Sequence, residues 1–180
     1  MVFREPDEKE LKTISKGLNY FKVINFLDDH AFLMREIIEG VREVFTMSKD
    51  VAEFVSRFKK KDLVYSAGIK VGEVGRRFRL SLEGSYWLVK DDRKKIWLNE
   101  KGEMLFLYGR DIFSSSILNT GDFGENEVVF VCNKYGDILG IGKSRFSAKK
   151  IKEVDPNRVV VENLVDRGEY IRHKRLYNSF

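Results

Sequence analysis

The stretch that decides the fold lies between residues 94 and 142, and two glycine-containing segments form its centre. The first is Leu107-Tyr108-Gly109-Arg110-Asp111-Ile112, and the second is Gly136-Asp137-Ile138-Leu139-Gly140-Ile141-Gly142. The apolar run Val128-Val129-Phe130-Val131 precedes the second segment, which predicts a hairpin with its tight turn at Tyr135-Gly136-Asp137. Gly140 and Gly142 within an apolar strand indicate that another backbone passes close to it, as happens in a small β-barrel.

The same region begins with the apolar run Ile96-Trp97-Leu98, and a polar turn at residues 121–126 separates the two segments. Gly121 and Gly124 are expected to adopt positive φ where the chain reverses in this turn. This order of a strand, a short helix ending in Leu-Tyr-Gly, and a glycine-containing hairpin strand resembles the PUA domain, a compact RNA-binding β-barrel. Many PUA domains have Pro-Gly where this chain has Ser115-Ser116, so we expect that loop to have a different shape.

The composition indicates an ordered globular protein. The chain has 180 residues, of which 43% are apolar and 13% aromatic, enough for one large domain or two small ones. No apolar run approaches the roughly 20 residues that span a bilayer, and the N-terminus lacks the apolar segment of a signal peptide. The single cysteine, Cys132, excludes an internal disulfide, and its apolar strand is more typical of a core residue than of a nucleophile. We expect a soluble cytoplasmic protein, or a nuclear or nucleolar one if the source is eukaryotic.

The charge is high in both signs with a modest basic excess. There are 33 basic and 28 acidic residues, which gives a net charge of +5 and a pI of about 9.2. Glutamine is absent. Abundant Lys, Glu and Arg with few thermolabile amides is the bias of hyperthermophile proteins, so we expect a hot source.

The first half of the chain mixes helical and strand patterns. Asp7 and Glu10 have the spacing of a capping box at the start of a helix. The pattern is strand-like over residues 21–38, with a turn expected at Asp28-Asp29, and further strands are predicted at 41–47, 63–69 and 78–82. Gly72 and Gly75 are expected to bracket a turn. A second helix is predicted after Ser48, and its expected buried residues are Val51, Ala52, Val55 and Phe58.

Six consecutive charged residues, 90–95, separate this half from the mostly β second half, and we interpret them as a domain boundary. The prediction is therefore an α+β protein of two domains. An N-terminal α/β domain occupies residues 1–93, a C-terminal β-barrel of PUA type occupies 94–175, and 176–180 form a tail.

Positive charge is concentrated directly after Gly142, where ten residues carry five cations and no acid. These cations are Lys143, Arg145, Lys149, Lys150 and Lys152. Such a run can neutralise phosphates and release counterions, or it can be the solvated face of a charge-rich protein. Phe146 within the run either stacks on a base or belongs to the core.

Two further basic groups are candidates for contact with RNA or a partner protein. The first, near the C-terminus, comprises Arg172, His173, Lys174 and Arg175; it extends the same surface or is simply a basic tail. The second, in the N-terminal domain, comprises Arg76, Arg77 and Arg79. Solvent-facing charges on a half-buried sheet explain the second group equally well.

Five short segments together resemble the archaeal and eukaryotic Nip-seven family of ribosome-biogenesis proteins. They are Phe78-Arg79-Leu80, Ile96-Trp97-Leu98, Leu107-Tyr108-Gly109, Val154-Asp155-Pro156 and Gly168-Glu169-Tyr170-Ile171-Arg172-His173. The similarity runs from about Val41 to His173, and the combination at this spacing is more specific than any one segment. Relatives usually have an acidic residue after the terminal histidine, where this chain has Lys174.

This resemblance implies, for an archaeal member, an α/β pre-PUA domain followed by a PUA domain. It implies a role without catalysis in pre-rRNA processing and assembly of the large ribosomal subunit. The PUA domain is the implied RNA binder, with a preference for single-stranded U-rich or AU-rich RNA. The N-terminal domain is implied to dock other assembly proteins or the RNA exosome.

Catalytic patterns are weak in this sequence. His30, His173 and Cys132 have no spacing that predicts a zinc site or a nucleophile–base set. Gly72-Glu73-Val74-Gly75 lacks the Gly-Lys-Ser/Thr of a phosphate-binding loop. We therefore expect no enzyme, metal or cofactor, and nothing in the sequence demands more than a monomer. The alternative to an RNA-binding factor is a protein-interaction adaptor, for example of the exosome, in which the basic run is incidental.

Overall fold

The computed structural model describes residues 3–23, 30–38, 40–57, 64 and 66–172, and the chain divides into two units, 1–90 and 91–180. Helices and strands occur in both units, so the predicted α+β class is confirmed. No helix among the described residues has the length and apolarity needed to cross a bilayer.

The described residues of the first unit form a four-stranded antiparallel sheet with helices packed on it. Its elements are α1 (Glu8–Tyr20), β1 (His30–Ile38), β2 (Val41–Ser48), α2 (Lys49–Arg57), β3 (Ile69–Val74), β4 (Phe78–Leu80) and α3 (Leu82–Leu88). The sheet order β1-β2-β3-β4 follows the chain. Ile14 and Leu18 of α1 lie in one apolar cluster with Phe32, Val44 and Val71 of the sheet, which holds this helix against the sheet.

Three predictions for the first unit were wrong. The strand predicted at 63–69 is instead β3, Ile69–Val74. Gly72 does not bracket a turn: it lies within β3 opposite Leu80, and a Cβ there would come within 2.3 Å of the Arg79 carbonyl oxygen. Close approach of another backbone, and not a turn, is what requires glycine at this position. On α2, Ala52 and Val55 are buried as predicted, but Val51 is exposed, and Phe58 lies outside the described residues.

The predicted capping box at the start of α1 is confirmed and carries an ion-pair network. The Asp7 carboxylate accepts a hydrogen bond from the Glu10 N–H at 2.8 Å, and the Glu10 carboxylate accepts one from the Asp7 N–H at 2.9 Å. Arg4 donates two hydrogen bonds to Glu10 at 2.6 and 2.7 Å, and Arg42 lies 3.1 Å from the same carboxylate. The hydrogen bonds from Arg4 are the main reason that the pKa of Glu10 is lowered from 4.5 to about 2.

We expect Glu10→Gln to lower the free energy of unfolding at pH 7, because it removes the charge that Arg4 and Arg42 contact. The expected loss is about 1–2 kcal/mol, since both arginines are partly exposed and solvent screens their ion pairs with Glu10. Glutamine keeps the capping-box acceptor but not the charge. A carboxyl whose folded pKa is lowered stabilises the fold above its unfolded pKa, and this stability is lost as the pH falls. Thermal melts by circular dichroism from pH 7 to pH 2 should therefore show the difference shrinking between pH 4.5 and pH 2.

The control for this measurement is Glu8→Gln, since Glu8 is an exposed carboxylate in the same helical turn. It should change the melting temperature little at any pH. A pH-independent difference between wild type and Glu10→Gln would contradict the assignment of this stability to the Glu10 charge.

The described residues of the second unit form a six-stranded sheet in the order β6-β10-β9-β8-β5-β7. Its elements are β5 (Lys95–Leu98), α4 (Glu100–Leu107), β6 (Ile112–Phe113), β7 (Ile117–Thr120), β8 (Val128–Cys132), β9 (Ile138–Ser144), α5 (Ala148–Ile151), β10 (Val159–Asp166) and α6 (Glu169–Arg172). The two edge strands, β6 and β7, are joined by a 3-10 turn at Ser114–Ser116. The sheet therefore curls into the nearly closed barrel that was predicted.

The predictions for the β8–β9 hairpin of the barrel are confirmed, whereas those for the polar turn at 121–126 are wrong. Gly136 has φ 94° in the turn between the antiparallel strands β8 and β9, so this hairpin is confirmed. A Cβ at Gly140 would lie 2.4 Å from the Val165 carbonyl oxygen, which confirms the predicted close backbone. Positive φ occurs at Asn126, at 61°, and not at Gly121 or Gly124. Gly121 is required for space instead, since its Cβ would lie 2.2 Å from the Asp92 carbonyl oxygen.

Candidate nucleic-acid interface

The basic run after Gly142 passes from the end of β9 into helix α5. Lys143 is exposed between two buried neighbours, and the sheet register pairs it with Glu162 on β10. Helix α5 buries Ala148 and Ile151 and leaves Lys149 and Lys150 in solvent. The sequence therefore places cations on the outer side of a short helix because small and apolar residues hold its inner side to the barrel core.

Hydrogen bonds from elsewhere in the unit fix the position of α5. The Ala148 N–H donates to the Phe123 carbonyl at 3.0 Å, and the Ser114 hydroxyl donates to the Ile151 carbonyl at 3.2 Å. Ser147 is the N-cap residue of α5, although its side chain makes no capping hydrogen bond. The lysines thus project from a backbone that is anchored at both ends of the helix.

Four lysines of the run share one property. Within residues 3–23, 30–38, 40–57, 64 and 66–172, none of them forms an ion pair, and all are exposed. We name Lys143, Lys149, Lys150 and Lys152 the exposed lysine group. By contrast, Lys94 in the same unit lies 2.6 Å from Glu127 and lowers the pKa of that carboxyl through this hydrogen bond.

Arg145 and Arg172 differ from the lysines because acids within the fold pair with them. The Arg145 guanidinium lies 3.7 Å from the Asp111 carboxylate. Arg172 donates to both carboxylate oxygens of the buried Asp166, at 2.8 and 3.0 Å, and to the Leu107 carbonyl near the end of α4. Its hydrogen bonds with Asp166 raise the pKa of Arg172. Arg172 therefore ties α6 to the barrel, and its charge is already balanced there.

The remaining predicted site residues fall into two sets. Lys174, Arg175 and the neighbouring His173 lie outside the described residues. In the first unit, Arg76 and Arg77 are exposed in the turn between β3 and β4, and Arg79 is exposed on β4 opposite Glu73. These three arginines belong to the first unit, whereas the exposed lysine group belongs to the second.

A cleft of about 850 Å³ opens beside the basic run, and three chain segments form it. Its polar lining residues are Glu125, Arg145, Asp155, Asn157 and Arg158, and the ring of Phe146 forms part of its wall. Arg145 and Phe146 are predicted site residues, whereas Arg158 is not among those that the sequence predicts. The signal that points to it is the Asp-Pro-Asn-Arg segment at 155–158, since Asp and Asn after a helix favour a tight loop with exposed side chains.

Cys132 of β8 is a buried free cysteine in the second unit. Burial raises the pKa of the Cys132 thiol to about 12, so it is protonated at neutral pH and a poor nucleophile, as its apolar strand predicted. Over the part of the chain that the structure describes, no three His, Cys, Asp or Glu side chains come together as a metal site would require.

Two family models cover most of the sequence. Residues 3–82 match the model described as NIP7/UPF0113, pre-PUA domain, and residues 94–175 match the UPF0113 PUA domain. A UPF0113 protein of Archaeoglobus fulgidus is 49% identical over 180 residues, with all of both chains covered. The chain belongs to the NIP7/UPF0113 family. The resemblance to the Nip-seven family is therefore confirmed. The Archaeoglobus relative is archaeal, in agreement with the expectation of an archaeal member.

More distant relatives carry functional names. The 60S ribosome subunit biogenesis protein NIP7 of Saccharomyces cerevisiae is 28% identical over 174 residues, which cover 94% of this chain and 96% of the yeast protein. Among solved structures, a conserved PUA domain protein from Thermoplasma acidophilum superposes with a TM-score of 0.67 at 13% identity, over 94% of this chain and 96% of that one. The fold is therefore a pre-PUA domain followed by a PUA domain, as predicted for the NIP7/UPF0113 family.

Proposed function

We propose that this NIP7/UPF0113 protein is a non-catalytic RNA-binding factor in pre-rRNA processing and assembly of the large ribosomal subunit. Single-stranded U-rich or AU-rich RNA binds the PUA domain, residues 94–175, through its basic surface. The protein acts as a monomer in the cytoplasm, or in the nucleolus of a eukaryote. The names of the eukaryotic relatives support the ribosomal role, because they are called 60S ribosome subunit biogenesis proteins.

The observation that carries the proposal is the exposed lysine group. Lysines that form no ion pair within the described fold raise the local positive potential, and when they contact phosphates they release counterions condensed on the RNA. Four such residues lie within ten positions at the end of β9 and on or beside α5, which concentrates positive charge suited to a phosphate backbone. Arg145 lies within the same run, and Lys174 and Arg175, which the sequence predicts as further RNA contacts, are outside the described residues.

RNA is favoured over duplex DNA for a geometric reason. Within the second unit the described helices are short: α4 spans eight residues, while α5 and α6 span four each. None of these has the form of a recognition helix lying in a major groove. Sequence-specific RNA binders of small β folds instead hold single strands, whose unstacked bases are accessible.

The adaptor alternative rests on the first unit. Three large side chains of the first unit, Phe54 on α2 and the adjacent pair Tyr86 and Trp87 on α3, are at least 49% exposed. Exposed aromatic residues are enriched where proteins dock on each other. In that reading an exosome subunit or another assembly protein binds the first unit, together with Arg76, Arg77 and Arg79, and RNA affinity is negligible.

Fluorescence anisotropy of the full chain with a labelled uridine-rich strand separates the two readings. We expect the single strand to bind more tightly than a duplex of equal length. Roughly three to five phosphate contacts predict a slope of about −2 to −3.5 in log K against log salt concentration. If neither RNA binds at about 0.05 M salt, the RNA-binding proposal is wrong, and a pull-down with the full chain becomes the test of the adaptor.

A further inference from the structure

The cleft beside Arg145 has the composition of a nucleobase site and not of a phosphate site. Its charged lining residues are two arginines and two carboxylates, so its charges balance. A phosphate would gain little in such a cleft, because the acids oppose it. A base edge presents donors and acceptors side by side, and Arg145, Arg158 and Asn157 donate where Glu125, Asp155 and Asn157 accept.

The wall of the cleft offers planar groups for stacking. The Arg158 guanidinium lies 5.6 Å from the centre of the Phe146 ring, a cation–π contact between two cleft residues. Phe146 is only partly buried, with one side packed against the barrel core. A base entering the cleft therefore meets the ring or the guanidinium plane, and both kinds of surface stack on unpaired bases.

Backbone hydrogen bonds hold this wall in place. The Arg145 N–H donates to the Val160 carbonyl at 2.8 Å, which fixes the residue next to Phe146. The Arg158 N–H donates to the Asp155 carbonyl at 2.9 Å, and the Asn157 N–H donates to the Asp155 carboxylate at 2.8 Å. The Arg158 carbonyl in turn accepts from the Ser114 N–H at 3.0 Å. A site held in this way loses little entropy when a ligand enters.

We propose that this cleft holds one unstacked base of a single-stranded RNA, between Phe146, Arg158 and the polar side chains of the 155–158 turn; this rests on the proposed function. The exposed lysine group flanks the 145–146 segment of the cleft in the sequence. Lys143 lies two residues before Arg145, and Lys149 lies three residues after Phe146. The lysines hold phosphates and the cleft holds a base. Phosphate and base contacts thus come from separate residues, which allows them to be tested separately.

The test compares two labelled probes of equal length, an eight-nucleotide uridine strand and an abasic ribose–phosphate strand. The abasic strand keeps every phosphate and removes every base. With wild type, the uridine strand should bind about 10-fold more tightly than the abasic strand, the contribution expected of one stacked base. Phe146→Leu keeps apolar packing but removes the ring, and Arg158→Lys keeps the charge but removes the plane. Each should weaken uridine binding by about 10-fold and leave abasic binding and the salt slope unchanged.

Matched controls come from exposed residues that do not line the cleft. Tyr135→Leu removes an exposed ring in the β8–β9 turn, and Arg57→Lys replaces an exposed arginine on α2. Neither should change the ratio of the two affinities. Circular dichroism melts check that every variant is folded, and Arg158→Lys alters only an exposed side chain.

Each outcome decides the proposal. A uridine-to-abasic ratio that falls toward one in Phe146→Leu and Arg158→Lys supports the base site. A ratio near one in wild type, or an unchanged ratio in both folded variants, overturns the base site and leaves the lysine-based RNA binding intact. If wild type binds neither strand, both the proposed function and the base site are wrong.

Discussion

Replacing Lys143, Lys149, Lys150 and Lys152 by alanine should lower the affinity for a uridine-rich single strand on the order of 10³-fold at about 0.05 M salt. Each phosphate contact on a single strand contributes about 0.7 to the salt slope through counterion release, so four contacts contribute about 2.8. The slope of log K against log salt should fall by that amount. The measurement is a series of anisotropy titrations from about 0.05 to 0.3 M salt.

This variant should remain folded, because the four side chains are exposed and form no ion pair within the described parts of the chain. Alanine is also the best helix former, which suits positions 149 and 150 of α5. Circular dichroism should show a melting temperature close to that of wild type. The loss of affinity would then belong to the missing charges and not to the fold.

A second variant tests whether the RNA affinity depends on the position of the lysines or only on the total charge of the protein. It carries alanine at four other exposed helical lysines, Lys9, Lys12, Lys16 and Lys101. Each variant loses four positive charges, so both have the same net charge. We expect this control to keep most of the affinity and of the salt slope. An equal loss in both variants would mean that overall charge attracts RNA, and that the exposed lysine group is not the site.

The features that could be predicted from sequence are those specified by residues close together in the chain. The hairpin turn follows from Gly136 between two apolar runs, and the barrel contact follows from a glycine at 140 in an apolar strand. The exposure of the lysines follows from their alternation with buried Ala148 and Ile151. Each inference needs only local periodicity and the steric properties of glycine.

The features that were missed depend on partners far apart in sequence. The local sequence around Gly72 predicts a turn. The position requires glycine because the backbone at Arg79 comes close to it, and Arg79 becomes a neighbour only through sheet pairing. The cleft joins residue 125 with 145–146 and 155–158, and no pattern within one segment predicts that meeting. Periodicity gives the exposure of a side chain, but not the identity of the group that it meets.

Arg172 is the clearest example of this limit, and it leads to a prediction about stability. In the sequence it belongs to a basic cluster, whereas in the structure it pairs with Asp166 and contacts the Leu107 carbonyl, 65 residues away. Arg172→Ala should lower the free energy of unfolding of the second unit by about 2–3 kcal/mol. Removing one partner of a buried pair costs about 3–5 kcal/mol, and the partly exposed arginine reduces that figure.

A structural role of Arg172 and a role in phosphate contact predict opposite results for Arg172→Ala. In a Trp87→Phe background, Trp97 is the one remaining tryptophan and reports unfolding of the second unit in urea. If Arg172 ties α6 to the barrel, Arg172→Ala lowers the urea midpoint and leaves the RNA salt slope unchanged. If Arg172 contacts phosphate, the midpoint stays and the slope falls by about 0.7. Arg110→Ala removes an exposed arginine of the same unit and controls for charge alone.

A double-mutant cycle with Asp166→Asn identifies the pair itself. Asparagine keeps the size of Asp166 and a hydrogen-bond acceptor but removes the charge that holds Arg172. The effects of Asp166→Asn and Arg172→Ala should therefore be non-additive, with a coupling energy of about 1–3 kcal/mol, because each substitution removes the same interaction. Additive effects would mean that the hydrogen bond to the Leu107 carbonyl, and not the ion pair, holds α6 against the barrel.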